Sequence, residues 1–475
     1  MYPDGTQVTF RAEAPSTNLG PMRGLAACLT ALAAVLLFAG PLVGAARGEL
    51  KRVTVRQGPL AVPPYGVRFT SPRTREVRAP RLDGWLVRMH ARVVDARGRP
   101  MPVRKVMLHH IVYKNRSRRD SVCAGAESFY GTGEENQTLD LPRGYGYRVR
   151  RRDRWSTGWM LMNHRDGTRV AFIEYTAWIE TSRRLRSVIP YWVRATGCRG
   201  ADDPIFNVPG TGGPGALSTR TAPFSVPRSG RIVAGSAHLH GGARALLLTQ
   251  DACDNRTLMG SRPLYGLPDH PYYNVLPVLH EPGPIATEWI TSASGVPVRR
   301  GERLQATAVY DNSRPHTRAM GIWHLYLAPG ERAPDACPPL PGDVTGDLPP
   351  TPGRSDPPAV TVPLTGIDAR GRAVPMLTPP GPLIRASGAA TVRVGDGAYS
   401  VRRLSIALGG GVHWRFRGPG LHDVTLASGP VGFASRWQRR GESYARRFDV
   451  PGTYRLFCSL HPIAMNQVID VRSGP

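Results

Sequence analysis

Cys458, His461 and Met465 lie within one short stretch, FCSLHPIAM, near the end of the chain. The alternation of apolar residues before Cys458 predicts a strand that ends at this thiol, with His461 and Met465 on the following loop. His422 comes earlier, after a Gly-Pro-Gly turn, at the start of another apolar strand. Two imidazoles, a thiolate and a thioether are the ligands of a blue-copper site, in which methionine binds weakly on the axis. Zinc has no need of the thioether, so the pattern predicts copper.

The last part of the chain, residues 359–475, resembles the cupredoxins of the plastocyanin and amicyanin kind in the order and spacing of these residues. The resemblance implies a Greek-key β-sandwich with a blue-copper centre that transfers electrons, whose ligands are His422, Cys458, His461 and Met465. Asp423 stands where many members carry an asparagine that ties the ligand loops together. The spacing from the cysteine to the methionine lies between the short and long versions of the family. These departures bear on the redox potential rather than on copper binding.

Most of the other histidines fall in four motifs upstream of this region. They are His109 and His110 in VMLHHIVYKN, His164 in WMLMNHRDG, His238 and His240 in AGSAHLHGGA, and His316 and His324, with Met320, in RPHTRAMGIWHLYLA. His238 and His240 are two residues apart in a predicted strand and project from one face, as two ligands of one metal would. His109 and His110 can share a metal only at a strand end or where the backbone is distorted. A histidine hydrogen-bonded within the core is the alternative for each one taken singly.

The order of these motifs resembles the copper type II monooxygenases, the peptidylglycine α-hydroxylating and dopamine β-hydroxylating enzymes. The phrases HLHGG and HTRAMG are similar to the stress up-regulated nodulin family. The resemblance spans residues 53–335 and implies two β-sandwiches that face each other across a cleft. It implies an electron-donating copper on His109, His110 and His164, and an oxygen-binding copper on His238, His240 and Met320. A structural or one-metal role is the alternative.

The same resemblance bears on the substrate. Ser236 stands where peptide-hydroxylating members carry the arginine that clamps the substrate carboxylate, and Ile322 and His324 replace an asparagine and a tyrosine. A peptide C-terminus is therefore not the expected substrate, and no catalytic residue is assigned. His324 is a candidate for contact with substrate or metal, and His316 is a candidate extra ligand near Met320. A packed histidine and a loop histidine are the respective alternatives.

The elements that must position these residues are predicted to be strands. The 53 glycines and 46 prolines favour short strands joined by turns, and 475 residues exceed what one core usually supports. We expect an all-β chain with two tandem jelly-roll-type β-sandwiches, residues 53–206 and 207–335, followed by the cupredoxin sandwich, residues 359–475. A proline-rich linker, residues 336–358, would separate the second sandwich from the cupredoxin sandwich. Its length would set how far the cupredoxin sandwich, as the electron donor, can reach.

The beginning of the chain predicts export. Residues 22–47 have the layout of a secretory signal peptide, with a charged start, an apolar run over 25–39 and a small-residue end. Residues 1–21 lack this pattern, and we interpret them as an over-extended start. An uncleaved anchor helix is the alternative, but no stable membrane span is expected after cleavage. We therefore expect a secreted or cell-surface protein.

Cysteine usage fits an oxidising compartment. Cleavage of the signal peptide would leave an odd number of cysteines, which fits two disulfides plus Cys458 as a metal ligand. Four cysteines can pair in three ways. The pairs Cys123–Cys198 and Cys253–Cys337 are preferred, because each then lies within one domain.

Charge and motifs exclude several classes. The formal charge of +27 comes almost wholly from arginines, and these are scattered without a nucleic-acid-binding motif, so no nucleic-acid partner is expected. Serine-hydrolase, phosphate-loop and paired-carboxylate sites are absent in usable form.

Two functions remain. One is an exported multi-copper protein whose blue-copper domain serves a two-copper monooxygenase-like module that activates O2 for substrate hydroxylation, with a small molecule or a redox protein as partner. The other is a non-catalytic extracellular copper-binding or electron-transfer protein.

Overall fold

Strands make up nearly all of the regular structure. The computed structural model describes residues 49–198, 204–330 and 335–473, and the fold is all-β, as the sequence predicts. The predicted signal peptide, residues 22–47, and the predicted over-extended start, residues 1–21, lie outside these ranges. Over the described part of the chain, no helix has the length and hydropathy that a membrane span requires.

Twenty-two strands form the part of the chain that we call the large module. The strands up to residue 194 are β1 (Leu50–Val62), β2 (Val67–Phe69), β3 (Glu76–Val77), β4 (Gly84–Val94), β5 (Val106–Arg119), β6 (Ala126–Gly133), β7 (Leu139–Asp140), β8 (Tyr145–Val149), β9 (Trp155–Asn163), β10 (Arg169–Glu180) and β11 (Arg186–Arg194). The strands that follow are β12 (Phe206–Val208), β13 (Leu217–Ser225), β14 (Gly230–Leu239), β15 (Ala243–Gln250), β16 (Arg256–Ser261), β17 (Pro263–Gly266), β18 (Ala286–Thr287), β19 (Trp289–Val298), β20 (Arg303–Asp311), β21 (His316–Ala319) and β22 (Gly321–Pro329), with one 3₁₀ turn at Asp251–Cys253.

The remaining strands lead to and form the C-terminal sandwich. The leading strands are β23 (Thr345–Asp347), β24 (Gly353–Arg354), β25 (Leu364–Ile367) and β26 (Ala373–Met376). The C-terminal sandwich consists of β27 (Leu383–Ala386), β28 (Ala390–Gly395), β29 (Ala398–Tyr399), β30 (Arg403–Ala407), β31 (Gly411–Phe416), β32 (Thr425–Ser428), β33 (Ser443–Arg447), β34 (Gly452–Phe457) and β35 (Asn466–Arg472).

One ten-stranded sheet runs through both halves of the large module. Its order is β1-β10-β4-β8-β11-β22-β14-β19-β23, with β7 beside β4. A sheet ordered β2-β9-β5-β6, with β3 beside β9, packs against the first half, and a sheet ordered β13-β20-β15-β16 packs against the second. The antiparallel pair β11–β22 joins the halves through hydrogen bonds, and the parallel pair β8–β11 continues the sheet into the first half. The two predicted sandwiches therefore share a sheet.

Alternating burial along the strands builds two separate cores in the large module. In β4, for example, apolar residues at alternate positions are buried against the facing sheet. The first core includes Trp155, Trp159 and Tyr175, and the second includes Trp323 and Tyr310. These cores hold β5 and β14, the two strands that carry the predicted histidine ligands.

The C-terminal sandwich has two sheets, ordered β27-β30-β35-β34-β32 and β29-β28-β31-β33. Its core is continuous with a patch of the large module formed by Val67, Met107, Met160, Met162, Val275 and Leu279. Phe69 also stacks on Trp437 with the ring centroids 5.6 Å apart. The Gly432 amide donates to the Pro209 carbonyl at 2.8 Å. The C-terminal sandwich is thus docked on the large module.

The segment predicted to be a proline-rich linker pairs with strands of the large module. Within residues 336–358, β23 pairs with β19 and β24 pairs with β17. Two backbone ladders therefore fix the segment, and its reach does not set the distance between the modules.

Two disulfides fasten the large module. They join Cys123 to Cys198 and Cys253 to Cys337, the two preferred pairs, and Cys458 is free and buried. Disulfides are typical of proteins that fold in an oxidising environment, which agrees with an extracellular location.

Candidate metal centres

The Cys458 loop is a tight turn between two paired strands. β34 ends just before Cys458, and β35 begins just after Met465. The Cys458 amide donates to the Met465 carbonyl, the His461 amide to the Cys458 carbonyl and the Met465 amide to the His461 carbonyl, each at 3.0 Å. These bonds hold the thiol, the imidazole and the thioether on one closed loop.

The side chains at this loop converge on one point. The Cys458 sulfur lies 3.6 Å from Nδ1 of His461 and 4.0 Å from Nδ1 of His422. Nε2 of His422 bonds to the Asp396 carboxylate at 2.7 Å, which leaves Nδ1 as the atom that faces the sulfur. Met465 is buried in the same cluster as Cys458. Burial raises the pKa of the Cys458 thiol, so a cation is needed to stabilise its thiolate, and this donor set fits copper.

Asp423 ties the two ligand loops together. One of its carboxylate oxygens accepts from the Ser459 amide at 2.6 Å, and the other accepts from the Ser459 hydroxyl at 2.5 Å. Because Asp423 follows His422 and Ser459 follows Cys458, these bonds fix the separation of the two ligands. The aspartate thus makes the loop connection that the cupredoxin resemblance implies for an asparagine at this position.

The histidine pair on β5 lies at a β-bulge. The register between β5 and β9 shifts between Leu108 and His110, so His109 is the extra residue. Both rings consequently turn toward each other, with their Nδ1 atoms 3.0 Å apart. This is the distorted backbone that the sequence requires if the two rings are to share one site.

The HLH motif on β14 faces the same point from the second half of the module. His238 and His240 have ring centroids 5.1 Å apart, and the His109 ring lies 5.3 Å from the His240 ring. Nδ1 of His238 bonds to the Glu135 carboxylate at 2.9 Å, which leaves its other nitrogen for a metal. His109, His110, His238 and His240 therefore lie in one cluster, which we call the histidine cluster.

Sequence reasoning missed two residues that lie beside this cluster, Glu134 and His280. Nε2 of His280 lies 2.5 Å from Glu134 Oε1, and the His280 ring centroid is 4.9 Å from that of His109. Among the described residues, two groups have three or more ligand atoms within 4.8 Å of one another. They are His422 with Cys458 and His461, and His109 with Glu134 and His280. The adjacent carboxylates in GEENQ, directly after a predicted strand, were the available signal.

Burial sets the protonation of the cluster. Desolvation and then the neighbouring imidazoles lower the pKa of His109 and of His240 well below the usual value. Desolvation, followed by the charges of His238 and Arg318, lowers the pKa of His110 to about 3. Desolvation also opposes the charging of His238, but the Glu135 carboxylate outweighs it and raises the pKa of His238. Most of these rings are thus neutral imidazoles, the form that binds metals.

The other predicted site histidines, His164, His316 and His324, are each held by a different contact. His164 bonds through Nδ1 to the Pro277 carbonyl at 3.0 Å and does not join His109 and His110 in a three-ligand group among the described residues. His316 is buried and bonds to the Glu281 carboxylate at 3.0 Å. His324 stacks on Trp192 with centroids 3.9 Å apart. Nε2 is buried without a partner in each of these three histidines.

A cavity of about 720 Å³ is lined by residues of both the large module and the C-terminal sandwich. The large module contributes all four rings of the cluster, Met320 and His324. The C-terminal sandwich contributes, among others, Leu421 and Ser459, the neighbours of His422 and Cys458. Apolar side chains supply much of the rest, among them Ile111, Met160, Leu279, Ile322 and Leu426.

The comparisons with known proteins reach only a small part of the chain. No protein-family model matches it, and no curated protein matches it. A mutant amicyanin in the reduced Cu(I) form at pH 4 is 27% identical, covers 18% of this chain and 85% of that chain, and gives a TM-score of 0.17. A Cu(I) structure of another amicyanin mutant is 25% identical over 18% and 83% of the two chains, also with a TM-score of 0.17. A likeness of this size shows no family and no function.

Proposed function

We propose that the protein is an exported multi-copper oxidoreductase. In this proposal the Cys458 centre passes single electrons to a copper-binding histidine cluster, which activates O2 to hydroxylate a small organic substrate in the cavity. The two disulfides support export, because such bonds persist in oxidising compartments.

One observation carries the proposal. A single cavity is lined by the histidine cluster and Met320 and also by Leu421 and Ser459, the residues next to His422 and Cys458. The two candidate centres therefore lie beside the same cavity. A carrier that only stored copper would have no need of this arrangement.

The residues of the C-terminal sandwich suit electron transfer. His422, Cys458, His461 and Met465 would hold copper, which would supply reversible one-electron chemistry there. Cys458 and Met465 are buried, whereas His461 is exposed. An external one-electron donor can therefore approach the His461 edge while the thiolate stays shielded from water.

The residues of the large module suit O2 and an apolar substrate. His238, His240 and Met320 would hold a second copper, and the Met320 thioether favours its Cu(I) state. The apolar walls would bind the body of an organic molecule beside the cluster. Hydroxylation by O2 inserts one oxygen atom into a C–H bond and reduces the other to water. It consumes two electrons and two protons, so the external donor must deliver two electrons per turnover.

A copper count with a visible spectrum tests the electron-transfer centre. Copper-loaded wild-type protein should show an intense blue band, and Cys458→Ser should lose that band and one copper per chain. Ser443→Ala, on an exposed position of β33, is the control and should keep both. Colourless copper-loaded wild-type protein would contradict the proposal.

Oxygen uptake tests the oxidoreductase. With ascorbate as the electron donor and a panel of small apolar organic molecules as substrates, wild-type protein should show substrate-dependent O2 uptake, and His238→Ala should abolish this uptake while keeping the blue band. A wild-type protein that is blue but consumes no O2 would instead support the non-catalytic copper protein that the sequence left open.

A further inference from the structure

We infer that His109, Glu134 and His280 form a divalent-metal site of the two-imidazole, one-carboxylate type, which takes Cu(II). The inference rests on the proposed function, because it names the ligands of one metal in the histidine cluster. It differs from the set of His109, His110 and His164 that the sequence resemblance implies.

The geometry of the three side chains suits a shared ion. Their ligand atoms all lie within 4.8 Å of one another. Oε1 of Glu134 is 2.5 Å from His280 Nε2 and 3.9 Å from His109 Nε2. The other oxygen, Oε2, accepts from the Gly283 amide at 2.7 Å, which fixes the carboxylate and leaves Oε1 directed at the imidazoles.

The charge of the region requires a cation. Glu134 is 5% exposed and the adjacent Glu135 is 3% exposed. Among the described residues, their ion-pair partners are imidazoles alone, His109 and His280 for Glu134 and His238 for Glu135. Buried carboxylates without an arginine or lysine are costly unless a cation or bound proton compensates them. A divalent ion between His109, Glu134 and His280 supplies that charge.

His164 provides an independent sign of a ligand. It is 2% exposed, its Nδ1 bonds to the Pro277 carbonyl, and its Nε2 is buried without a partner. Because Pro277 lies three residues before His280, this bond holds His164 against the loop that carries His280. An imidazole held through one nitrogen with the other free is the usual arrangement of a metal ligand. The free Nε2 of His164 is therefore a sign of a ligand beside this loop.

The donor types select the metal. A carboxylate oxygen is a hard donor and favours a divalent ion, whereas the Met320 thioether offered with His238 and His240 favours Cu(I). Cu(II) forms the most stable complexes with nitrogen and oxygen donors among the divalent first-row metals. The histidine cluster and the residues beside it thus offer two sites of different softness, which adjoin where the His109 and His240 ring centroids lie 5.3 Å apart.

Metal binding to the full exported chain tests the inference. Metal-stripped protein would be loaded with Cu(II), freed of excess copper, and examined by elemental analysis and electron paramagnetic resonance. Glu134→Gln is nearly isosteric, and its amide oxygen can still accept from Gly283, so the fold should persist. We expect Glu134→Gln and His280→Ala each to lose one copper per chain, or to bind it at least about 10-fold more weakly. The blue band should be unchanged.

Two further variants make the outcome specific. Glu134→Asp keeps a carboxylate and should retain part of the affinity, whereas His413→Ala removes a histidine outside the cluster and should change nothing. Full copper occupancy and unchanged copper affinity in both Glu134→Gln and His280→Ala would overturn the inference. If these variants still showed the blue band, the proposed function would not be contradicted. A colourless wild-type protein whose non-blue Cu(II) signal still depends on Glu134 would overturn the proposed function alone.

Discussion

Asp423 joins the two ligand loops of the Cys458 centre and also carries a buried charge. Its carboxylate is fully buried, accepts two hydrogen bonds from Ser459, and pairs with Arg318 at 3.0 Å. Asp423→Ala removes all of these contacts and leaves Arg318 without its carboxylate partner. We expect a loss of about 3–5 kcal/mol in the free energy of unfolding, measured by urea denaturation of the metal-free protein.

Asp423→Asn is the matched variant. Its amide oxygen can still accept from the Ser459 amide, so the ligand loops should stay tied and the blue band should persist. The loss of charge should cost less, about 1–2 kcal/mol. Equal destabilisation by both variants would show that the ion pair with Arg318, rather than the bonds to Ser459, supplies the stability.

Glu135 positions His238 within the histidine cluster. The carboxylate bonds to Nδ1 of His238 and so directs the opposite nitrogen at the metal position. Glu135→Gln keeps the size of the side chain but removes its charge. We expect copper affinity at the large module to fall about 10- to 100-fold, measured by competition with a chelator, with the blue band unchanged. An affinity equal to that of the wild type would show that the hydrogen bond serves stability only.

At the residue scale, local spacing determined what the sequence could predict. Cys458, His461 and Met465 lie on one loop, so their order along the chain already places them together. Glu134 and His280 are 146 residues apart and meet only after β6 and the loop before β18 have packed. No short-range pattern encodes that contact, which is why the sequence left His280 unassigned.

At the element scale, strand alternation predicts the shared face of His238 and His240 but does not predict the bulge in β5. The bulge depends on how β5 pairs with β9 between Leu108 and His110, a partner that is distant in sequence. Glycine 133, the last residue of β6, pairs with His110 on the other edge of β5. A side chain built there would place Cβ 2.5 Å from the His109 carbonyl oxygen and 3.0 Å from a Glu135 oxygen.

Gly133→Ala tests whether this close approach holds the cluster together. The added methyl should push β6 from the bulge and displace Glu134 and Glu135, at a cost of about 1–3 kcal/mol in the free energy of unfolding. Copper bound by the large module should fall while the blue band remains. Gly158→Ala, on the adjacent β9, is the control, because its Cβ would meet no atom within 4 Å. Wild-type copper content in Gly133→Ala would contradict this prediction, because it would show that β5 and β6 accommodate the added methyl group without displacing Glu134 and Glu135.

At the scale of the whole molecule, the sequence indicates all-β modules but not their docking. Composition and turn residues predict strands, and the Cys458 motif predicts the C-terminal sandwich. The shared ten-stranded sheet and the pairing of β23 and β24 depend on backbone hydrogen bonds between distant segments, to which any residue type can contribute. The proline-rich composition of residues 336–358 predicts a semi-extended linker, but it does not predict the pairing of β23 with β19 or of β24 with β17.

Arg318 is one residue through which the two modules touch near both candidate centres. Its guanidinium contacts Asp423 and lies over the Trp437 ring, 5.1 Å from the centroid. It also lines the cavity together with His240, and its φ of 55° is uncommon for a residue other than glycine. The surrounding contacts must hold Arg318 in this conformation. One residue thereby links the wall of the histidine cluster to the carboxylate that ties His422 to Cys458.

Arg318→Met would separate docking from folding of the modules. Methionine keeps much of the length but leaves Asp423 buried without its cation, so the interface should weaken while each module keeps its own core. We expect faster hydrogen exchange at the backbone amides of Gly432 and β32, and slower reduction of the histidine cluster by electrons delivered to the Cys458 centre. Arg372→Met, which removes an exposed pair with Asp368, is the control and should alter neither. Unchanged exchange and unchanged electron transfer in Arg318→Met would show that the continuous apolar core between the modules is sufficient to hold the two centres in place.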